Sequence, residues 1–104
     1  MANVFMDEGA KVAYLGILYS QMQKILHLVE EEKTTGYSPI GYIEERLFEL
    51  KSANTQFDEK LSVPIVKLNG IYLNYAELPY KKIRKEILEI CLVIKNISQE
   101  IGGV

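Results

Sequence analysis

The sequence lacks the residues from which most catalytic and metal sites are built. Its 104 residues include one cysteine, Cys91, and one histidine, His27. A single cysteine excludes an intramolecular disulfide, and a zinc site made of cysteine and histidine needs several such ligands. A di-iron site in a helical bundle needs two histidines spaced with carboxylates, so that class is excluded as well. We therefore expect no metal and no cofactor.

Motifs for nucleotide chemistry and for nucleophilic catalysis are also missing. The seven glycines form no phosphate-binding loop, and any arrangement of a nucleophile with a histidine would have to use His27, which lies among the polar residues of a predicted helix. Glu45 and Glu49 stand one helical turn apart, but a carboxylate pair on a charged helix face is typical of solvent-exposed surface. The sequence predicts a protein that is not an enzyme.

Neither charge nor hydrophobicity directs the chain to a polyanion or into a membrane. Lysine and arginine number 12 and aspartate and glutamate 14, a formal net charge of −2, so a nucleic-acid partner is unlikely without a local basic patch. There is no run of 18 consecutive apolar residues, and the first nine residues lack the basic start and apolar block of a secretory signal. We expect a cytoplasmic protein without membrane insertion.

What the chain does contain is the apolar content of one hydrophobic core. About half of its residues are hydrophobic (48%) and a quarter are charged (25%), which is the balance of an ordinary globular protein. A chain of this length can bury roughly two-thirds of its unfolded surface without a disulfide or a metal. We expect a single helical domain over residues 1–104.

The stretch 79–101 has the strongest pattern in the sequence. Apolar residues recur there at alternating spacings of three and four, which is the period of a seam along one helix. They are Tyr80, Ile83, Ile87, Ile90, Ile94, Ile97 and Ile101. This pattern predicts the helix around which the fold is organised.

Two further helices are predicted upstream. Apolar residues keep helical spacing over 10–33, and Gly36 is suited to a left-handed cap after that segment. Ser38 and Pro39 then predict a helix start, because serine accepts hydrogen bonds from free amides and proline has no amide to leave unpaired. The second helix extends over 38–56, with a turn expected between residues 53 and 62.

The segment 63–75 has two interpretations. As a helix over 62–76 it places Ile65, Leu68, Tyr72 and Tyr75 on one face together with Leu61 just before it, with Gly70 costing about 1 kcal/mol. As a β-hairpin it has Asn69 and Gly70 in a tight turn. The helix is favoured because an isolated two-stranded ribbon is marginal in water and no other strand is predicted.

These segments together predict an all-α fold. It is a small antiparallel helical bundle of three long helices plus a short third helix, with helices at about 10–33, 38–56, 62–76 and 79–101. A hairpin at 63–75 would make the class α+β instead.

Two groups of residues are candidates for binding a partner. Tyrosines are frequent at interface hot spots, and three cluster in one stretch, Tyr72, Tyr75 and Tyr80. Cations follow at once, where the helix macrodipole disfavours them. They are Lys81, Lys82, Arg84 and Lys85.

A second apolar surface on the last helix is a candidate for self-association. Leu88, Cys91, Leu92 and Val93 lie off the isoleucine seam. An apolar second face on a small bundle is what a homodimer would require.

The expected function is therefore that of a non-catalytic helical protein-interaction module. Such a module, of the inhibitor, immunity-factor or adaptor type, acts by presenting a helix face to another protein. Two alternatives remain open. One is a small nucleic-acid-binding regulator that uses the basic start of the last helix, and the other is a bundle that binds an apolar ligand.

Overall fold

A computed structural model describes residues 6–102 of the chain, and within that range it contains four α-helices and no strand. The helices are α1 (Glu8–Thr35), α2 (Ile40–Ala53), α3 (Ser62–Asn74) and α4 (Tyr80–Gly102). The predicted all-α bundle is confirmed. The predicted third helix is confirmed as α3, and the alternative hairpin at 63–75 does not form.

Both ends of α1 are capped by side-chain and backbone groups that the local sequence supplies. The carboxylate of Asp7 accepts a hydrogen bond from the amide of Ala10 at 2.8 Å, which satisfies one of the free donors of the first turn. At the other end Gly36 is left-handed, with φ of 76°, and its amide donates to the carbonyl of Glu32. The glycine cap is as predicted, and the helix extends about two residues beyond its predicted limits at each end.

The start of α2 follows the predicted Ser38–Pro39 signal with a small shift. The Ser38 hydroxyl accepts a hydrogen bond from the amide of Ile40 at 3.3 Å. Pro39 stands just before the first helical residue, so α2 begins at Ile40 rather than at residue 38. It also ends earlier than predicted, because a short 3₁₀ turn, Asn54–Phe57, replaces its last residues.

Asn54 organises the turn between α2 and α3. The residues that α2 buries, Ile43, Leu47 and Leu50, recur every three or four positions, and this spacing predicts an apolar side chain at position 54. Instead, the side-chain oxygen of Asn54 accepts a hydrogen bond from the amide of Leu61 at 2.9 Å. Asp58 and Glu59 both adopt positive φ, 52° and 61°, which reverses the chain within a few residues. Phe57, which directly precedes Asp58, is 2% exposed, so the turn is anchored in the core.

The core is the predicted isoleucine seam of α4 packed against the other helices. Ile87 and Ile90 are fully buried, and the end of α1 lies beside the start of α4, where Tyr80 reaches Glu30. α1 and α4 are therefore antiparallel. Each other helix contributes fully buried side chains, among them Leu15, Leu18, Met22 and Ile25 from α1, Ile43 and Leu50 from α2, and Leu68 from α3.

The helices are not of membrane-spanning character. Over residues 6–102, none of them combines the length and the apolar composition needed to cross a bilayer.

The two sides of α4 give a direct test of the packing. Ile90→Ala should lower the free energy of unfolding by about 2–5 kcal/mol, because it leaves a cavity in a fully buried region. Leu92→Ala, at a position 58% exposed, should change it by less than about 0.5 kcal/mol. Urea denaturation of both variants measures the difference, and equal losses would contradict this placement of the seam.

Candidate interaction surface on the last helix

The side of α4 opposite the seam carries cations and leucines. We call it the outer face of α4, and it consists of Lys81, Arg84, Lys85, Leu88, Leu92 and Lys95, all of which are exposed. Successive members are separated by one to four residues, and on a helical projection all six fall on one side of the helix. This face contains no acidic residue.

Three acidic residues of α4 pair with lysines of other segments, and Glu89 also lies close enough to Lys85 for their charges to interact. Glu86 and Glu89 both reach Lys67 of α3, with N–O distances of 3.5 and 2.9 Å. The hydrogen bond to Lys67 lowers the pKa of Glu89, and the same bond is the main cause of a raised pKa at Lys67. Glu100, further along, pairs with Lys60 at 3.1 Å. Glu86 and Glu89 therefore both belong to the contact with α3, and Glu89 also borders the outer face.

Most of the predicted cations are left without an acidic partner inside the fold. Lys82 approaches Glu86 at 3.9 Å, and it stands on the flank of the outer face. In the part of the chain that the structure describes, no ion pair within 4 Å involves Lys81, Arg84 or Lys85. Their charges are thus available to a partner.

A shallow groove runs along this surface. It has a volume of about 680 Å³ and is open to solvent. Its lining consists of two leucines, four cations, a proline and one acid. They are Leu88, Leu92, Lys81, Lys82, Arg84, Lys85, Pro79 and Glu89. Long basic side chains can cover apolar surface with their methylenes while their charged ends remain in water.

The three predicted partner-binding tyrosines are engaged within the fold. Each hydroxyl donates to a glutamate on another part of the chain: Tyr72 to Glu44 at 2.7 Å, Tyr75 to Glu32 at 2.5 Å, and Tyr80 to Glu30 at 2.6 Å. All three side chains are half-buried and pack against the core. Tyr72 joins α3 to α2, while Tyr75 and Tyr80 hold the end of α1.

These hydrogen bonds shift the acidity of the hydroxyl groups. Burial, followed by the hydrogen bond to Glu32, raises the pKa of Tyr75 well above its usual value. At Tyr72 and Tyr80 the hydrogen bond to the carboxylate is the larger cause of a raised pKa. A hydroxyl must be protonated to donate a hydrogen bond, so these three tyrosine–glutamate contacts are formed at neutral pH.

The predicted self-association residues do not form one surface. Leu88 and Leu92 are 39% and 58% exposed and belong to the outer face of α4, whereas Val93 is half-buried against the core. Cys91 is 3% exposed, and burial raises the pKa of its thiol to about 11. Cys91 is thus a core residue and cannot contribute to an outer contact, which corrects its place in the predicted set.

Another exposed apolar surface was not singled out from the sequence. Phe48 on α2 is 73% exposed, and on α3 Val63, Val66 and Leu73 are 51%, 71% and 69% exposed. The signal was present as a second apolar stripe on a helix whose first stripe was assigned to the core. It was missed because the choice between helix and hairpin left the faces of this segment undefined.

The described residues offer little that could hold a metal or enclose a ligand. Over residues 6–102 no cluster of three or more histidine, cysteine, aspartate or glutamate side chains is placed to bind an ion. A second groove of about 330 Å³ lies between α1 and α4, and it too is open to solvent.

No family model, curated protein or solved structure matches the chain.

The hydrogen bond from Tyr75 to Glu32 makes a testable contribution to stability. Tyr75→Phe should lower the free energy of unfolding at pH 7 by about 1–2 kcal/mol, since it removes a donor from a partly buried carboxylate. Because the folded-state pKa of Tyr75 is raised, its advantage over Phe is complete below pH of about 10, the pKa of an unfolded tyrosine. It is lost as the pH rises above that value.

Chemical denaturation of both proteins at several pH values measures this difference. Tyr37→Phe, at a tyrosine 80% exposed in the loop before α2, is the control and should have no effect. A wild-type advantage that is absent at pH 7, or unchanged up to pH 11, would contradict the role of the hydrogen bond.

Proposed function

We propose that this protein is a non-catalytic interaction module of the inhibitor, immunity-factor or adaptor type, and that it binds another protein through the outer face of α4. The observation that supports this proposal most strongly is the separation of charge on α4. Among the described residues Lys81, Arg84 and Lys85 lie outward without an ion pair within 4 Å, and Glu86, Glu89 and Glu100 are paired with lysines of other segments.

The position of these cations is unfavourable for the isolated fold. A cation in the first turn of a helix opposes the macrodipole at a cost of about 0.3–1 kcal/mol where it is weakly screened. Lys81 stands in this first turn of α4, whereas Arg84 and Lys85 follow in the second turn, where the dipole acts less. An acidic surface on a partner would offset this cost, which makes binding a physical reason for their presence.

The two leucines supply the apolar part of the surface. Burying a leucine side chain completely contributes about 1.5–3 kcal/mol, and Leu88 and Leu92 lie among the cations rather than beside them. Specific interfaces commonly have an apolar centre within a polar rim. The partner that fits is a protein surface with apolar side chains surrounded by carboxylates.

The tyrosines have a positioning role in this proposal. Tyr80 donates to Glu30 and so fixes the first turn of α4 against the end of α1. Tyr75 fixes the preceding turn through Glu32. A rigid start of α4 presents the cations with little backbone ordering cost at the moment of binding.

A nucleic-acid-binding regulator remains the second candidate, because the same outer face carries no acid. Phosphate recognition would explain the cations but leaves Leu88 and Leu92 exposed at the centre of the contact, so the protein partner is favoured. The two differ in their response to salt. Nucleic-acid binding weakens steeply as salt rises, and a mobility-shift assay at low salt would reveal it.

Affinity capture from the native host tests the main proposal. The double variant Lys81→Glu/Lys85→Glu should lower recovery of the specific partner at least about tenfold, because it places like charges against an acidic surface. Lys51→Glu, at an exposed lysine of α2, changes the net charge in the same direction outside the outer face and should leave recovery unchanged. Quantitative mass spectrometry compares the captured proteins.

The result that would contradict the proposal is equal recovery with all three chains. Far-ultraviolet circular dichroism shows that each variant keeps its helix content. A partner lost equally with Lys51→Glu would point to general charge instead of this surface.

A further inference from the structure

We infer that two copies of this chain associate through α3, in an antiparallel pair related by a two-fold axis. The inference concerns a different surface from the outer face of α4 and does not depend on it. Its starting point is the exposed apolar stripe of α3, which consists of Val63, Val66, Gly70 and Leu73. Three of these side chains are more than half exposed.

This stripe carries no charge. Lys67 is the one charged residue in the sequence of α3, and its ammonium group is directed to Glu86 and Glu89 of α4. A helix face that is both exposed and uncharged is unusual for a surface in contact with water and typical of one that packs on another element. The stripe is flanked by Asn69, Asn74 and Lys67, and the charge of Lys67 is held by its ion pairs with α4.

The spacing of the stripe is self-complementary. Its members are separated by three, four and three residues, so the pattern is the same in either direction along the helix. An antiparallel pair therefore places Val63 against Leu73 of the second copy, and Val66 against Gly70 of the second copy. An interface about a two-fold axis requires this property, because one patch has to match itself.

Gly70 supports the same arrangement. A glycine inside a helix costs about 0.5–1 kcal/mol relative to alanine, and its φ is not positive, so the backbone does not require it. A Cβ built at Gly70 meets no atom within 4 Å. The position is thus open on the outside of α3, and the missing side chain leaves room for Val66 of the second copy.

The outer face of α4 is unsuited to the same kind of pairing. An antiparallel contact that brings Leu88 against Leu92 of a second copy also brings Lys85 against Lys95 of that copy, twice over because of the symmetry. Like charges directly opposed are destabilising. The charge pattern therefore disfavours self-pairing through the outer face of α4 and leaves that face for an acidic partner.

The contact made by the stripe of one short helix is small beside specific interfaces, which begin at about 1,000 Å² of total buried area. We expect a reversible dimer that dissociates on dilution.

Sedimentation equilibrium over about 5–500 µM tests the inference, a range chosen because small interfaces are weak. The wild-type chain should show a monomer–dimer equilibrium, and Val66→Glu should raise the dissociation constant at least about tenfold. Gly70→Leu should do the same, because the added side chain occupies the site of Val66 of the second copy. Non-specific hydrophobic association would instead be strengthened by that leucine.

A mixture of two variants tests the register. Val63→Lys and Leu73→Glu should each weaken the dimer alone, but a mixture of the two pairs lysine with glutamate on one side and keeps the original valine–leucine contact on the other. The mixture should therefore form a heterodimer. Ile17→Glu, at a residue of α1 that is 55% exposed, is the control and should leave the equilibrium unchanged.

Three outcomes would overturn the inference. They are a wild-type chain that is monomeric over the whole range, a dimer that persists in Gly70→Leu, and a dimer that is lost in Leu92→Glu while the α3 variants retain it. Circular dichroism checks that each variant is folded. Folding is expected because every substituted position lies outside the buried core.

Discussion

The packing of the isoleucine seam of α4 against α1 and α3 is the interaction on which the rest of the structure depends. It fixes which side of α4 is buried, with Ile87, Ile90 and Ile94 at most 1% exposed. Because the side chains of a helix lie at fixed angles, burying the seam leaves Lys81, Lys85, Leu88 and Leu92 on the opposite side. The surface proposed to bind a partner is therefore a consequence of how the core is made.

Polar contacts around the seam decide how the charges are distributed. Lys67 draws Glu86 and Glu89 to the α3 side, and the hydroxyls of Tyr75 and Tyr80 engage Glu32 and Glu30 at the end of α1. The partly exposed ion pairs of Lys67 each contribute little to stability, whereas the partly buried hydrogen bond of Tyr75 contributes about 1–2 kcal/mol. The larger effect of the Lys67 ion pairs is on the surface, because they engage the carboxylates of Glu86 and Glu89 on the α3 side. A chain with a net charge of −2 in this way presents a helix face whose exposed charged residues are cations.

The sequence predicted the elements that depend on local pattern. The seam of α4, the Gly36 cap and the helical state of 62–74 all follow from apolar spacing or backbone preference, which act over a few residues. The tyrosine contacts could not be predicted, because Tyr75 and Glu32 are 43 positions apart in the chain and their meeting depends on the packing of α1. Cys91 was assigned to a self-association surface although it is buried in the core. A helix with apolar residues on two sides does not show from sequence alone which side faces inward. The stripe of α3 became visible only when its helical state was settled.

The two proposed surfaces fit different occupants for one physical reason, which is charge. α3 is neutral outward and matches itself, while α4 is basic outward and repels itself.

The central claim is that the outer face of α4 is the surface that a partner covers, and lysine footprinting tests it most directly. The chain is acetylated with and without the bound partner, and the rate is followed at each lysine by mass spectrometry. Lys81 and Lys85 should be protected in the complex while Lys51 reacts at the same rate in both states. Protection of Lys51 with free reaction at Lys81 and Lys85 would contradict the account.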